Sequence, residues 1–155
     1  IGYGINGKTD LGYYFTNRFA LEWSSSVSFT SIEDYFTWNT LLTLGIRYRI
    51  KEYFVRAFYG RSPTVVFFQG KKPEGFEESS ASRLQYDGPV VGLSLGKMFQ
   101  HKDGLIWFLE ATGTFQNLSE REAIKMDGQT PVVVDRSYDT SSVSSLFFNI
   151  GIMVF

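Results

Sequence analysis

The stretch Phe36-Thr-Trp-Asn-Thr-Leu-Leu-Thr-Leu-Gly-Ile-Arg-Tyr-Arg-Ile50 alternates with a period of two. Phe36, Trp38, Leu42, Leu44, Ile46, Tyr48 and Ile50 oppose Thr37, Asn39, Thr43, Gly45, Arg47 and Arg49. Successive side chains of a β-strand point to opposite faces, so this pattern sets one face against an apolar medium and the other against polar surroundings. The pattern spreads in both directions. Upstream, Phe19, Leu21, Trp23, Val27 and Phe29 oppose Ala20, Glu22, Ser24, Ser26 and Ser28. Before them, the odd residues from Ile1 to Phe15 oppose Gly2, Gly4, Asn6, Lys8, Asp10, Gly12 and Tyr14. Downstream, Leu105, Trp107, Leu109, Ala111 and Phe115 oppose Glu110, Thr112, Thr114 and Gln116. Further strands are expected over residues 53–68, 84–99 and 142–155, which are rich in β-branched and aromatic residues. No segment carries the period of an amphipathic helix.

Composition narrows the classes. The chain has 155 residues, 15 Lys and Arg against 16 Asp and Glu, and a net charge of −1, which fits one domain over residues 1–155 and no nucleic-acid partner. Its 15 Phe, 9 Tyr and 3 Trp make up 17% of the chain and exclude disorder. With no Cys and a single His, His101, disulfides, thiolate metal sites and multi-histidine zinc sites are excluded, and no metal or cofactor is expected. No run approaches the roughly 20 apolar residues of a membrane-spanning helix. The N-terminus lacks the basic region, apolar core and cleavage site of an export signal, so the chain reads as mature or trimmed.

Connection lengths point to the architecture. Residues 16–18, 51–52 and 100–103 read as tight turns, whereas residues 30–36, 69–83 and 117–141 read as longer polar excursions. Short turns at one end, long loops at the other and an apolar outer face are the marks of a transmembrane β-barrel. The unit Leu11-Gly-Tyr-Tyr-Phe-Thr-Asn-Arg-Phe-Ala-Leu-Glu-Trp23 and the end Leu146-Phe-Phe-Asn-Ile-Gly-Ile-Met-Val-Phe155 resemble the small outer-membrane barrels of the OmpA/OmpX type. That resemblance implies an all-β, up-and-down antiparallel barrel in the outer membrane of a Gram-negative bacterium. It also implies outer-membrane lipid and lipopolysaccharide as surroundings, and the barrel assembly machinery as a partner in biogenesis. In the last strand the apolar register Leu146, Phe148, Ile150, Ile152 and Val154 is out of phase with Phe155, so either a bulge intervenes or both faces pack.

Eight strands are expected, seven of them clear. A hairpin at Asn6-Gly7 would split residues 1–15 into arms too short to cross the membrane, so we read one long strand there and expect the first strand upstream of Ile1. Alternation points Glu22, Arg47, Arg49, Arg56 and Glu110 into the lumen. An interior of this size is filled by side chains, so these charges are expected to pair and plug it. The rival reading is a narrow or gated channel, for which Phe58 and Gly60 facing inward near Arg56 are the hints.

The loops suggest function without chemistry. His101 reads as a solvated turn residue with no serine motif beside it, and the acid pairs Glu120/Glu122 and Asp135/Asp139 read as solvated loop charges. No catalytic residue is assigned; a lipid-modifying enzyme is the third reading. Residues 123–134 read as a hairpin ribbon projecting past the membrane, with Ile124, Met126, Val132, Val133 and Val134 as candidate contacts for a protein partner. Pro131, Asp135 and Arg136 read equally as edge protection. Lys71 and Lys72 are candidates for lipopolysaccharide phosphates. The expected role is a non-enzymatic structural or surface-interaction module.

Overall fold

The alternation is realised as eleven antiparallel β-segments. These are β1 (Tyr3–Tyr14), β2 (Phe19–Ile32), β3 (Tyr35–Ile50), β4 (Tyr53–Arg61), β5 (Thr64–Phe68), β6 (Arg83–Asp87), β7 (Pro89–Gln100), β8 (Ile106–Leu118), β9 (Glu120–Asp127), β10 (Thr130–Ser137) and β11 (Ser141–Met153). The computed structural model describes residues 3–32, 35–68, 83–100, 106–118, 120–127, 130–137 and 141–153.

Several segments continue one another. The pairs Leu42↔Arg61 and Asn39↔Thr64 share one register, so β4 and β5 form a single stave against β3, interrupted where Pro63 has no amide to give to the ladder. The pairs Arg61↔Pro89 and Thr64↔Tyr86 likewise join β6 to β7 across Gly88, whose carbonyl accepts from Ser62 N at 3.0 Å. β8 continues into β9, and β10 into β11, with register slips that include a bulge between Val133 and Asp135. The described segments therefore make seven long up-and-down staves. β1 is one strand, with Gly7 opposite Val27 and no hairpin at Asn6-Gly7.

Two expectations are corrected. Residues 30–36 are not a long loop: Thr30↔Thr37, Ser31↔Phe36 and Ile32↔Tyr35 are paired, leaving only positions 33–34 between the strands. Phe29 stacks on Phe36 (5.9 Å) and lies tilted against Trp38 (5.6 Å), holding that end of the hairpin, and Thr37 Oγ1 donates to Thr30 O. The second correction concerns closure. Among the described residues β1 pairs only with β2 and β11 only with β8, so the backbone ladder is an open sheet. Seven is an odd number, and β1 and β11 consequently run in the same direction, which denies them an antiparallel ladder. The sheet curls nonetheless, since Asn6 Nδ2 on β1 donates to Asn149 Oδ1 on β11 at 2.9 Å.

Local chemistry fixes the tight turns. Thr16 Oγ1 accepts from Arg18 N and Phe19 N at 3.2 and 2.9 Å, a side-chain mimic of a backbone turn. In the two-residue turn after β3, Lys51 takes a left-handed conformation (φ 56°), and Arg49 Nε donates to its carbonyl at 2.9 Å.

The two faces of the curl differ in kind. Inside lie buried Glu22, Ser24, Thr43, Arg47, Arg56, Ser94, Glu110 and Gln116. Outside stand exposed Leu21, Trp23, Leu44, Ile46, Leu93, Leu95 and Leu109. Water-soluble barrels put such residues the other way round. Aromatic side chains border this apolar surface at both ends: Phe15, Phe19, Tyr48 and Tyr53 toward the short turns, Phe29, Phe36, Trp38 and Phe67 toward the far end. Lys97 lies over the rings of Tyr53 and Phe99, 5.1 and 5.3 Å from their centroids, carrying its charge at the border.

Candidate functional site

The charged network in the interior of the short-turn half is built from inward positions of five segments, β1, β2, β3, β4 and β8. Glu22 on β2 sits between two guanidinium groups. Arg47 Nε lies 2.9 Å from Glu22 Oε1 and Arg56 Nε 3.2 Å from Oε2, both off the N–H axis, so these contacts are ionic rather than linear hydrogen bonds. Asp10 lies 4.0 Å from Arg47 and 3.9 Å from Arg56, accepts from Ser24 Oγ, and pairs with Lys8 at 3.1 Å. Lys8 Nζ also reaches Glu110 Oε2 at 2.5 Å, which joins β1 to β8 across the curl. Arg56 donates further to Ser24 Oγ and to Thr43 Oγ1. Three cations, Lys8, Arg47 and Arg56, thus meet three carboxylates, Asp10, Glu22 and Glu110, and the network is neutral as a whole.

Aromatic rings pack the remainder. The Arg47 guanidinium lies 4.2 Å from the Phe54 ring centroid, and that of Arg56 4.8 Å from that of Phe58. Each ring in turn lies over a glycine of the paired strand: Phe54 over Gly96, Phe58 over Gly92. A Cβ at either glycine would come within 2.1 Å of ring carbon, so only glycine admits the rings. Beside the network, a cavity lined by Lys8, Ser24, Thr43, Arg56, Phe58 and Thr112 measures about 20 Å³. That is room for about one water. One level up, Gln116 Oε1 accepts from Asn39 Nδ2 at 3.3 Å and Ser62 Oγ at 3.1 Å, a second, uncharged crossing of the interior.

Of the five expected lumen charges, Glu22, Arg47, Arg56 and Glu110 share this network. Arg49 does not: two residues nearer the turn, it lines the open short-turn mouth with Tyr14, Thr16 and Asn17 and clamps Lys51. Lys8 and Asp10 are the members that sequence reasoning missed, although both stand in the polar even set of the first strand. Phe58 is buried inward as expected, but beneath a guanidinium rather than along a path.

The far end is organised differently. Leu84 is buried against Val66, Phe68 and Tyr86, and Tyr35 packs edge-on to Phe68. β9 and β10 pair as the expected ribbon, Thr130 opposite Asp127. Within it Val132 and Val133 are exposed, whereas Ile124, expected as a contact residue, is buried. Met126 stands opposite Pro131, and Val134 falls in the register shift. Glu120 and Glu122 lie in β9, opposite Asp87 and Gln85. Lys71, Lys72, His101, Asp139 and Phe155 lie outside the described residues.

The fold and interior define a class: an antiparallel β-meander with an apolar outside and an ion-paired inside. No family model, curated protein or solved structure matches the chain.

Proposed function

We propose that this protein is an integral outer-membrane β-barrel of a Gram-negative bacterium, acting as a non-enzymatic structural or surface-interaction module with a plugged lumen. The observation that carries the reading is the inverted distribution of polarity, with Leu21, Leu44, Leu93 and Leu109 outward and Glu22, Arg47, Arg56 and Glu110 inward. Such a surface is stable only against hydrocarbon or another apolar wall. Its height agrees. Phe19 and Phe29 stand ten residues apart on β2, about 34 Å of strand, which a tilt of about 40° brings to roughly 26 Å, the height of the apolar band of outer-membrane barrels. In this reading the wall has eight strands, because an even number lets every neighbour run antiparallel.

The neutral network and the rings of Phe54 and Phe58 support a plug over the rival channel: on the β3–β4 side they leave a cavity of about 20 Å³, and the larger cleft of about 710 Å³ opens on the other side of the network, between β1 and β11. Beyond the band, the β9–β10 ribbon offers exposed Val132 and Val133 to a protein partner. The bulge at Val134 and the missing amide of Pro131 disfavour backbone addition along β10, so the contact is through side chains. Lys71 and Lys72 are proposed to meet lipopolysaccharide phosphates. The test is extraction and electrophoresis: the protein should require detergent and shift its gel mobility on heating. Full solubility without detergent contradicts the proposal.

A further inference from the structure

We infer that the short-turn rim of the sheet, where β1, β2 and β3 end beside one another, holds the phosphate of an anionic phospholipid against Arg49. The inference rests on the membrane reading and adds to it a bound lipid in the leaflet at that end.

The rim carries a pocket of about 430 Å³ lined by Tyr14, Phe15, Thr16, Asn17 and Arg49. Its polar groups have hydrogen bonds left to give. Arg49 gives Nε to the Lys51 carbonyl, and its two terminal nitrogens have no partner among the described residues. Thr16 Oγ1 accepts from the amides of Arg18 and Phe19, so its own O–H remains to be donated. The Asn17 side chain is exposed and adds an amide. Among the described residues no carboxylate lines the pocket. A guanidinium with free terminal N–H groups is matched to the paired oxygens of a phosphate.

Charge around the pocket has the same sign. Arg18, Arg49, Lys51 and Lys97 stand at this end against one carboxylate, Glu52, a surplus of three, and the connection after β7 adds Lys102 and Asp103, which cancel. Since the interior network is neutral and the whole chain carries −1, the rest of the sequence is left with −4. Positive charge is thus concentrated at the short-turn end, where it favours a headgroup of net negative charge over a zwitterionic one.

The outer wall of the pocket selects a lipid rather than a soluble anion. Phe15 is exposed, stacks on Phe19 at 6.0 Å and belongs to the aromatic border of the apolar surface. Arg49 and the turn at residues 16–18 lie immediately beyond that border, the depth at which headgroup phosphates sit, and Arg49 N donates to Arg18 O at 2.7 Å, which fixes the two against each other. A phospholipid engages both halves, its chains along Phe15 and Phe19 and its phosphate at Arg49. Inorganic or glycerol phosphate engages only one.

The full-length protein, extracted in detergent, would be mixed with dioleoyl phosphatidylglycerol, dioleoyl phosphatidylcholine or glycerol phosphate and examined by native mass spectrometry. One phosphatidylglycerol should be retained about tenfold more strongly than phosphatidylcholine, and glycerol phosphate should not be retained. Arg49→Gln should weaken that retention about tenfold. Arg18→Glu, at an exposed turn position where the fold is undisturbed, should weaken it as well, and Arg61→Gln at the far end should leave it unchanged. Equal retention of the two lipids, or undiminished retention in the folded rim variants, overturns the site. Retention of glycerol phosphate as strong as that of the lipid overturns the lipid as its occupant. Either result leaves the membrane reading standing, whereas a protein that stays in solution without detergent overturns that reading itself.

Discussion

The two ends of the joined staves β4–β5 and β7–β6 have opposite polarity. In the short-turn half, Ala57, Tyr59, Val91, Leu93 and Leu95 point outward, while Arg56 and Ser94 are buried inside. Past Ser62 and Gly88 the faces exchange character. On β6 the outward residues are now Asp87, ion-paired at 2.7 Å with Arg61 just before the boundary, and Gln85, beside outward Val65 and Phe67 of β5, while inside Leu84 packs on Val66, Phe68 and Tyr86. No residue is inserted at this boundary, because the register runs through it, so the same face of the same strand turns from charged to apolar. On the proposed membrane reading, the difference marks where the surroundings change. There, against lipid, the hydrophobic effect would give no reason to bury apolar side chains, and the interior is specified by ion pairs and by rings seated on glycines; against water the ordinary rule would return.

The comparison can be broken at several points. The largest effect is expected from Glu22→Ala, which leaves Arg47 and Arg56 without the carboxylate between them in a buried site. It should cost about 3–5 kcal/mol, read from urea unfolding in lipid vesicles; a loss below about 1 kcal/mol would show the network to be ornamental. Next is Leu44→Arg, on the outer face between the aromatic borders, expected to cost about 2–4 kcal/mol at mid-membrane. The same substitution at Gln85, past the boundary, should leave the unfolding midpoint unchanged, and equal costs at both sites would erase the boundary. Leu84→Ala should cost about 2 kcal/mol, the low end for a buried leucine because its cluster is small. Arg61→Ala removes a largely exposed ion pair and should change stability by less than about 1 kcal/mol.

Much of this was legible from alternation alone. A period of two in residues 36–50 was enough for the strand, and the phase of Glu22, Arg47, Arg56 and Glu110 for the inner face. What alternation lacks is depth and long-range contact. Arg49 shares the phase of Arg47, yet two residues along a strand carry it to the open mouth, where its guanidinium serves the Lys51 turn. Lys8 and Asp10 were visible as polar positions, but the meeting of Lys8 with Glu110 and of Asp10 with Arg47 and Arg56 depends on how far the sheet curls. The polar run at residues 30–36 suggested a loop because polarity was equated with absence of strand. Thr30, Ser31 and Thr37 instead form a ladder beside Phe36, at the far end of the apolar outer surface. Ile124 was read as a contact residue because it sits in an apolar ribbon, whereas in the fold it is buried.

The most direct measurement uses the absence of native cysteine. Single-cysteine variants at Leu44, Leu93 and Gln85 would carry a fluorophore in reconstituted vesicles, with quenching by lipids brominated along the acyl chain. The expected result is strong quenching at Leu44 and Leu93 and little at Gln85. Equal, weak quenching at all three, with ready labelling of Leu44→Cys by a membrane-impermeant thiol reagent, would contradict the claim that this face meets lipid.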